Sequence, residues 1–242
     1  MREGEAGEAI VGAGRRLCDG GYVVSNDGNI SVRLDDGSIL ITPSGVSKGA
    51  LSPDELVRLS LEGEVLARGV RVPSSESKMH LRVYREDPSV GAVVHAHPIY
   101  ATSYAIAGIP LDDPILSEAM IQVGAVPVAG YAKPGTEGVP ESVAPFVRDY
   151  GAVLLANHGA LTWGASLDEA LAHMEVLENY AHISYIVRQL GGGRGLSEAQ
   201  VAEMADVRAG FGLPPVRMPR GLSVTGNVRH VMPRTSGAEE ER

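Results

Sequence analysis

The sequence predicts a single α/β domain, and three observations carry that prediction. Short apolar or alternating runs, bounded by Gly, Pro and Asx turns, are interleaved with segments of helical periodicity from residue 4 to about 209. No Pro/Gly/Ser-rich linker divides that stretch into two cores, and no internal repeat is visible. The length of 242 residues suits one α/β unit, since a prior of ~150 residues per domain still leaves single domains of ~250 common. The domain is expected to span residues 1–210. Residues 211–242, with Pro, Gly and Arg but little periodicity, are expected to form a partly disordered tail.

Each element has a local cause. Residues 4–18 form an amphipathic helix with Ile10, Val11 and Leu17 near helical spacing, Arg15 and Arg16 in the last turn, and Gly20-Gly21 ending it. Tyr22-Val23-Val24 reads as a short strand leading into the turn Asn26-Asp27-Gly28-Asn29. Residues 30–34 alternate apolar and polar, Asp35-Asp36-Gly37 turns the chain, and residues 38–41 return as the hairpin partner. Pro43-Ser44-Gly45 breaks that strand, and Pro53-Asp54-Glu55 opens a short helix. A strand pair lies around Glu62-Gly63 between Leu59 and Leu66.

A second helix runs from Ser74 to Arg85, capped by Ser74 or Ser75, with Met79, Leu81 and Val83 inward. Residues 90–97 are a buried strand, 98–108 a helix with Pro98 in its first turn, and 126–128 and 152–156 two more strands around a helix over 140–150. The longest helix spans 167–190. It opens on the capping box Ser166 to Glu169, points Leu171, Met174, Leu177, Ala181, Ile183 and Val187 inward, and stops at Gly191-Gly192-Gly193. A last helix covers about 197–209.

Composition narrows the function classes. A net charge of −9 lacks the basic footprint of a general nucleic-acid binder. No apolar run reaches the ~18 residues of a transmembrane helix, and the acidic start has no signal core, so a cytoplasmic protein without membrane partners is expected. The single cysteine, Cys18, excludes an internal disulfide and a cysteine-cluster metal site. Neither a phosphate-cradling G-x-x-x-x-G-K-[ST] loop nor a dinucleotide G-x-G-x-x-G is present.

The chemistry-bearing pattern is His95-Ala96-His97. On a strand, residues two apart share a face, so both imidazoles can reach one divalent ion. His-x-His also occurs without metal, and by itself leaves both readings open. His158, at the end of a second strand in Asn157-His158-Gly159, adds a third imidazole, and three histidines with an open fourth position are a catalytic zinc set. Glu76 has two readings. Spacing alone favours an acid in the first turn of a helix; the alternative makes it a base facing the metal. Ser74 and Ser75, with the turns Gly28-Asn29 and Ser44-Gly45, are ordinary turn residues or the walls of an anion nest. His80, His173 and His182 fall on helices and read as core or surface residues; His230 has no argued role.

Gly28-Asn29-Ile30-Ser31, Ile41-Thr42-Pro43-Ser44-Gly45, Pro73-Ser74-Ser75-Glu76, Val94-His95-Ala96-His97 and Asn157-His158-Gly159 occur in that order over about residues 5–190. The chain thereby resembles the class II aldolase/adducin superfamily, with the L-fuculose-1-phosphate aldolases as its nearest characterised type. The resemblance implies an α-β-α fold, a central mainly antiparallel sheet with helices on both faces. It also implies a homotetramer with active sites between neighbouring subunits. His95, His97 and His158 match the ligands of one Zn2+ per subunit, with Mn2+ or Co2+ as alternatives. Glu76 matches the catalytic acid/base. Asn29, Ser44, Gly45, Ser74 and Ser75 match the substrate-phosphate loops, with Gly28 at the same turn.

The implied activity is zinc-dependent cleavage of a short ketose 1-phosphate to dihydroxyacetone phosphate and an aldehyde. A dehydratase, epimerase or decarboxylase of the same fold, or a non-catalytic adducin-like interaction module, are the rivals. The phosphate is expected to be held by neutral hydroxyls and amides, in keeping with a chain of three lysines, Lys48, Lys78 and Lys133. Two departures stand out. Glu118 occupies the place of a proton-donating tyrosine in the fuculose-phosphate aldolases; it is either a second proton donor or an ordinary surface residue. The tail is longer than the aldolases need.

Overall fold

The computed structural model describes residues 1–67 and 71–220. The rest of the tail, 221–242, lies outside the described residues. Eight strands form one sheet: β1 (Asn29–Arg33), β2 (Ile39–Ile41), β3 (Val57–Leu59), β4 (Val65–Ala67), β5 (Ala92–Ala96), β6 (Val128–Ala129), β7 (Ala152–Leu155) and β8 (Gly159–Gly164). Their order is β4-β3-β2-β1-β5-β8-β7-β6. Every neighbouring pair is antiparallel except β6 and β7. The mainly antiparallel α/β expectation holds.

Helices cover both faces, because strands whose side chains are apolar on both sides must be buried on both. One core combines Val94, Leu154 and Ala160 of the sheet with Ile10 and Leu17 of α1 (Glu3–Asp19), Ala101 of α3 (Ile99–Ala107), Met120 of α4 (Ser117–Gln122) and Leu171 and Leu177 of α6 (Leu167–Gln189). The other combines Ile41, Val93, Leu161 and Trp163 with Met79 and Val83 of α2 (Ser77–Glu86) and Val143 of α5 (Gly138–Val143). A last helix, α7 (Glu198–Gly210), packs against α4.

Several sequence expectations are corrected. Residues 22–24 form no strand; the Tyr22 carbonyl instead accepts a single hydrogen bond from the His97 amide at 2.9 Å. The helix expected over 140–150 is α5 followed by a 3-10 turn, Ala144–Phe146, because Pro145 lacks the amide that would continue it. The cap of α2 is Glu76 rather than Ser74 or Ser75. Pro98 precedes α3 as its cap, with extended ψ. Ser166 caps α6 by accepting from the Glu169 amide, but Glu169 returns its carboxylate to Ala165 at 2.8 Å instead of to Ser166. Strand β8 and helix α4 add to the elements that local pattern predicts. At the start of the expected tail, residues 211–220 lie against the domain: the Ala125 amide donates to the Arg217 carbonyl at 2.9 Å and the Arg217 amide to the Asp149 carbonyl at 2.6 Å.

The antiparallel registers decide which loops come together. Asn29 pairs with His95, and His95 with Leu161. The starts of β1 and β8 and the ends of β5 and β7 therefore meet at one end of the sheet. Among the described residues, no helix is long and apolar enough to cross a membrane.

Candidate active site

That sheet end gathers the histidines. His95 is the fourth residue of β5, His97 lies just beyond the strand, and His158 sits in the turn between β7 and β8. Asn157 makes the turn possible with φ 57°, the left-handed region that asparagine tolerates better than most residues. The ligand nitrogens of the three lie within 4.8 Å of one another, and the ring centroids 4.8–5.0 Å apart.

Neighbouring oxygens orient two of the rings. His95 Nδ1 lies 2.8 Å from the Ala160 carbonyl, which only accepts, so Nδ1 carries a hydrogen and Nε2 is the atom open to a second proton or a metal. His97 turns Nδ1 towards the Asp27 carboxylate at 3.4 Å, which leaves its own Nε2 free. The two Nε2 atoms then face each other at 3.0 Å. Two lone pairs at that distance repel unless a proton or a cation lies between them. A tetrahedral zinc with ~2.0–2.1 Å bonds spaces its nitrogens by about 3.4 Å, against 3.0 Å for this pair and within 4.8 Å across all three.

Glu76 completes the set. Its Oε2 lies 3.3 Å from His95 Nε2 and its Oε1 3.2 Å from His158 Nε2. Oε1 is buried with no hydrogen-bond partner of its own, while Oε2 accepts from Asn29 Nδ2 at 2.8 Å. Burial works to raise the Glu76 carboxyl. The charge and hydrogen bond of His95, the Asn29 amide and the His158 charge outweigh it and hold the group well below the usual carboxylate range. Burial works to lower His95, and Glu76 outweighs it, so His95 is raised. Burial and the His95 charge push His158 down to about 4. Three imidazoles and an ionised carboxylate with a bare oxygen are a donor set that can hold a divalent metal.

In front of this cluster lies a cavity of about 400 Å³. Gly28, Asn29, Ser44, Gly45, Ser74 and Ser75 all line it, together with Glu76, His97 and His158. Gly28 is required there: its φ is 73°, and a Cβ would come within 2.7 Å of the His95 carbonyl. Not all of these residues offer free donors. The Ser44 amide bonds the Val72 carbonyl at 2.9 Å and the Ser74 amide the Thr42 carbonyl at 3.3 Å.

Lys48 reads from the sequence as one of three lysines without a special place, yet its side chain is buried at the cavity wall. Its Nζ donates to the carbonyls of Asn26 at 2.8 Å and Val46 at 2.6 Å, tying two cavity loops together. Burial lowers its pKa, opposed by the charges of Asp27 and Glu76. Only its position near Ser44-Gly45 could have flagged it. Glu118 stands apart, exposed on the first turn of α4 and outside the cavity lining. A larger groove of about 660 Å³, between residues 108–114, 125–128 and 217–220, contains none of the histidines.

Fold and site together define an α/β protein whose sheet end holds a histidine-carboxylate cluster beside an anion-sized cavity. Residues 8–185 match the model of the Class II Aldolase and Adducin N-terminal domain, and the chain belongs to that family. It is similar to a 3-oxo-tetronate 4-phosphate decarboxylase of Pectobacterium atrosepticum, at 36% identity over 76% of this chain and 86% of that one. It is similar to an L-fuculose phosphate aldolase of Methanococcus maripaludis, at 35% identity over 73% of this chain and 94% of that one. The structure of L-fuculose-1-phosphate aldolase from Thermus thermophilus superposes with a TM-score of 0.68 at 35% identity, covering 78% of this chain and 97% of that one.

Gly159 tests how tightly the cluster is built. A Cβ there would stand 2.5 Å from the His97 ring and 2.6 Å from the Ala96 carbonyl, and backbone cannot yield cheaply. Gly159→Ala should cost about 1–3 kcal/mol in urea unfolding, the scale of overpacking, and should alter the visible spectrum of bound Co2+. Wild-type stability together with a wild-type Co2+ spectrum would show that the cluster tolerates the methyl.

Proposed function

We propose that the chain is a cytoplasmic, metal-dependent carbon–carbon lyase acting on short phosphorylated keto sugars, with zinc as its ion. The observation that carries the reading is Glu76, one oxygen without a partner, set against His95 and His158 beside a cavity that His97 and His158 line. His95, His97 and His158 would hold the ion, whose bound form supplies Lewis acidity to a substrate carbonyl and its neighbouring oxygens.

The chain's own residues account for the rest. Ser44, Gly45, Ser74 and Ser75 accommodate the phosphate, and the Lys48 charge lies in the same wall. In the condensation direction, ionised Glu76 takes the carbon-bound proton next to the carbonyl of dihydroxyacetone phosphate, leaving an enediolate that adds to an aldehyde. Cleavage is the reverse: the bond between C3 and C4 of a ketose 1-phosphate breaks, the electron pair stays on C3, and Glu76 returns the proton there.

A second reading is favoured by the decarboxylase relative. Loss of CO2 from C1 of 3-oxo-tetronate 4-phosphate leaves its electron pair on C2, and protonation by Glu76 again yields dihydroxyacetone phosphate. Both reactions pass through the same three-carbon enediolate and differ only in what leaves.

The shared step gives the test. Metal-loaded protein should exchange one carbon-bound hydrogen of dihydroxyacetone phosphate with D2O, as read by NMR, and a chelator or Glu76→Gln should abolish this. L-fuculose 1-phosphate and 3-oxo-tetronate 4-phosphate, assayed for dihydroxyacetone phosphate, then separate the two readings. Absence of exchange in metal-loaded wild type, or undiminished exchange in Glu76→Gln, overturns the proposal.

The aldol reading also needs an acceptor for the proton of the C4 hydroxyl. We propose Glu118 of a neighbouring copy in a homotetramer, since this exposed side chain stands outside its own cavity. Light scattering should give four chains, and Glu118→Gln should slow ketose cleavage by about 10²-fold while sparing deuterium exchange. A monomer, or a change under about threefold on that scale, returns Glu118 to the surface.

A further inference from the structure

Behind Glu76 runs a line of buried polar groups that the proposed reaction does not use. Helix α2 presents Glu76, His80 and Tyr84 at four-residue spacing on one face. Strand β1 presents Asn29 and Ser31 on the face opposite, two apart. The two periods mesh into alternating contacts. Glu76 Oε2 meets Asn29 Nδ2 at 2.8 Å, Asn29 Oδ1 meets His80 Nε2 at 2.6 Å, His80 Nδ1 meets Ser31 Oγ at 2.7 Å, and Ser31 Oγ meets Tyr84 Oη at 2.8 Å. His80, Ser31 and Tyr84 are fully buried, and Asn29 nearly so.

Chemistry assigns every hydrogen in this line. Asn29 turns its Nδ2 to a carboxylate oxygen of Glu76, which accepts, and its carbonyl oxygen to His80. Facing a carbonyl oxygen, His80 must then donate from Nε2; it is completely buried, and burial pushes it down to about 3, so the ring is neutral and Nδ1 holds a lone pair. Ser31 donates to that lone pair and in turn accepts from Tyr84, whose phenol burial keeps protonated. Each donor polarises the next, and the polarity points at one oxygen of Glu76. The other oxygen, Oε1, is the one left bare towards His158.

The geometry points to His80 as a positioning residue that, backed by Ser31 and Tyr84, locks the Asn29 amide and so selects Oε1 as the working oxygen of Glu76. The role rests on the reading of Glu76 as proton carrier, but the hydrogen assignment can be tested without it. Because asparagine does not pass a proton along, the line orients Glu76 and does not feed it.

Two readouts decide. In 15N-labelled wild-type protein, long-range proton–nitrogen spectra should show His80 as the neutral Nε2–H tautomer from pH 6 to 9; an Nδ1–H tautomer or an imidazolium overturns the assignment, whatever the activity. In the D2O exchange assay, His80→Leu should cut kcat by about tenfold or more, the scale of losing an outer partner, with KM for dihydroxyacetone phosphate and zinc content unchanged. His80→Gln, whose amide nitrogen takes the place of Nε2, should recover most of the rate, and Ser31→Ala should lower kcat in the same sense if His80→Leu does not fold. Equal rates in the Leu and Gln variants, or a change in KM alone, remove the positioning role. If wild type shows no exchange, the lyase reading fails while the tautomer measurement still decides the line.

Discussion

Glu76 carries a carboxylate into a wall of imidazoles, and the cost of burying that charge organises the surrounding structure. An isolated buried carboxylate would be driven to its neutral form. Here His95 and His158 lie within 3.3 Å, and Asn29 donates a hydrogen bond. These contacts exist because the antiparallel register sets Asn29 opposite His95. They also exist because α2 begins at the same sheet end, so that its cap residue is the acid itself. The compensation is incomplete: one carboxylate oxygen has no partner, and two histidine Nε2 atoms face each other at 3.0 Å. A cluster with unsatisfied donor atoms converging on one point is what a divalent cation completes.

Much of this is legible in the sequence, and the limits are physical. The His-x-His pair lies on a strand whose apolar run is unmistakable, and the face-sharing argument holds even though His97 falls just past the strand end. The turn at Asn157-His158 is visible, but β8 beyond it is not. Gly159-Ala-Leu-Thr-Trp-Gly164 has glycines at both ends and no alternation, because both faces of that strand are buried. The loops at Gly28, Ser44 and Ser74 can be named as turns, whereas their meeting around one cavity depends on strand order, which local pattern does not encode.

The residues that escape a sequence reading share a reason. His80 sits on a helix and reads from the sequence as a core or surface residue; it is core, and its meaning comes from Asn29, 51 positions away in the chain. Lys48 is one of three lysines in the sequence, and only the fold shows its ammonium held by two loop carbonyls. Asn29, expected at a phosphate, spends its amide on Glu76 and His80. A phosphate in this cavity would thus meet hydroxyls and the Lys48 charge more than the free turn amides the sequence suggests.

Every step of the proposed chemistry requires that these three imidazoles hold a metal. Protein stripped with a chelator and titrated with Zn2+ against a competing dye should take up one ion per chain, and His95→Ala should lose that uptake while staying folded by circular dichroism. Undiminished uptake in His95→Ala, or none in the wild type, would contradict it.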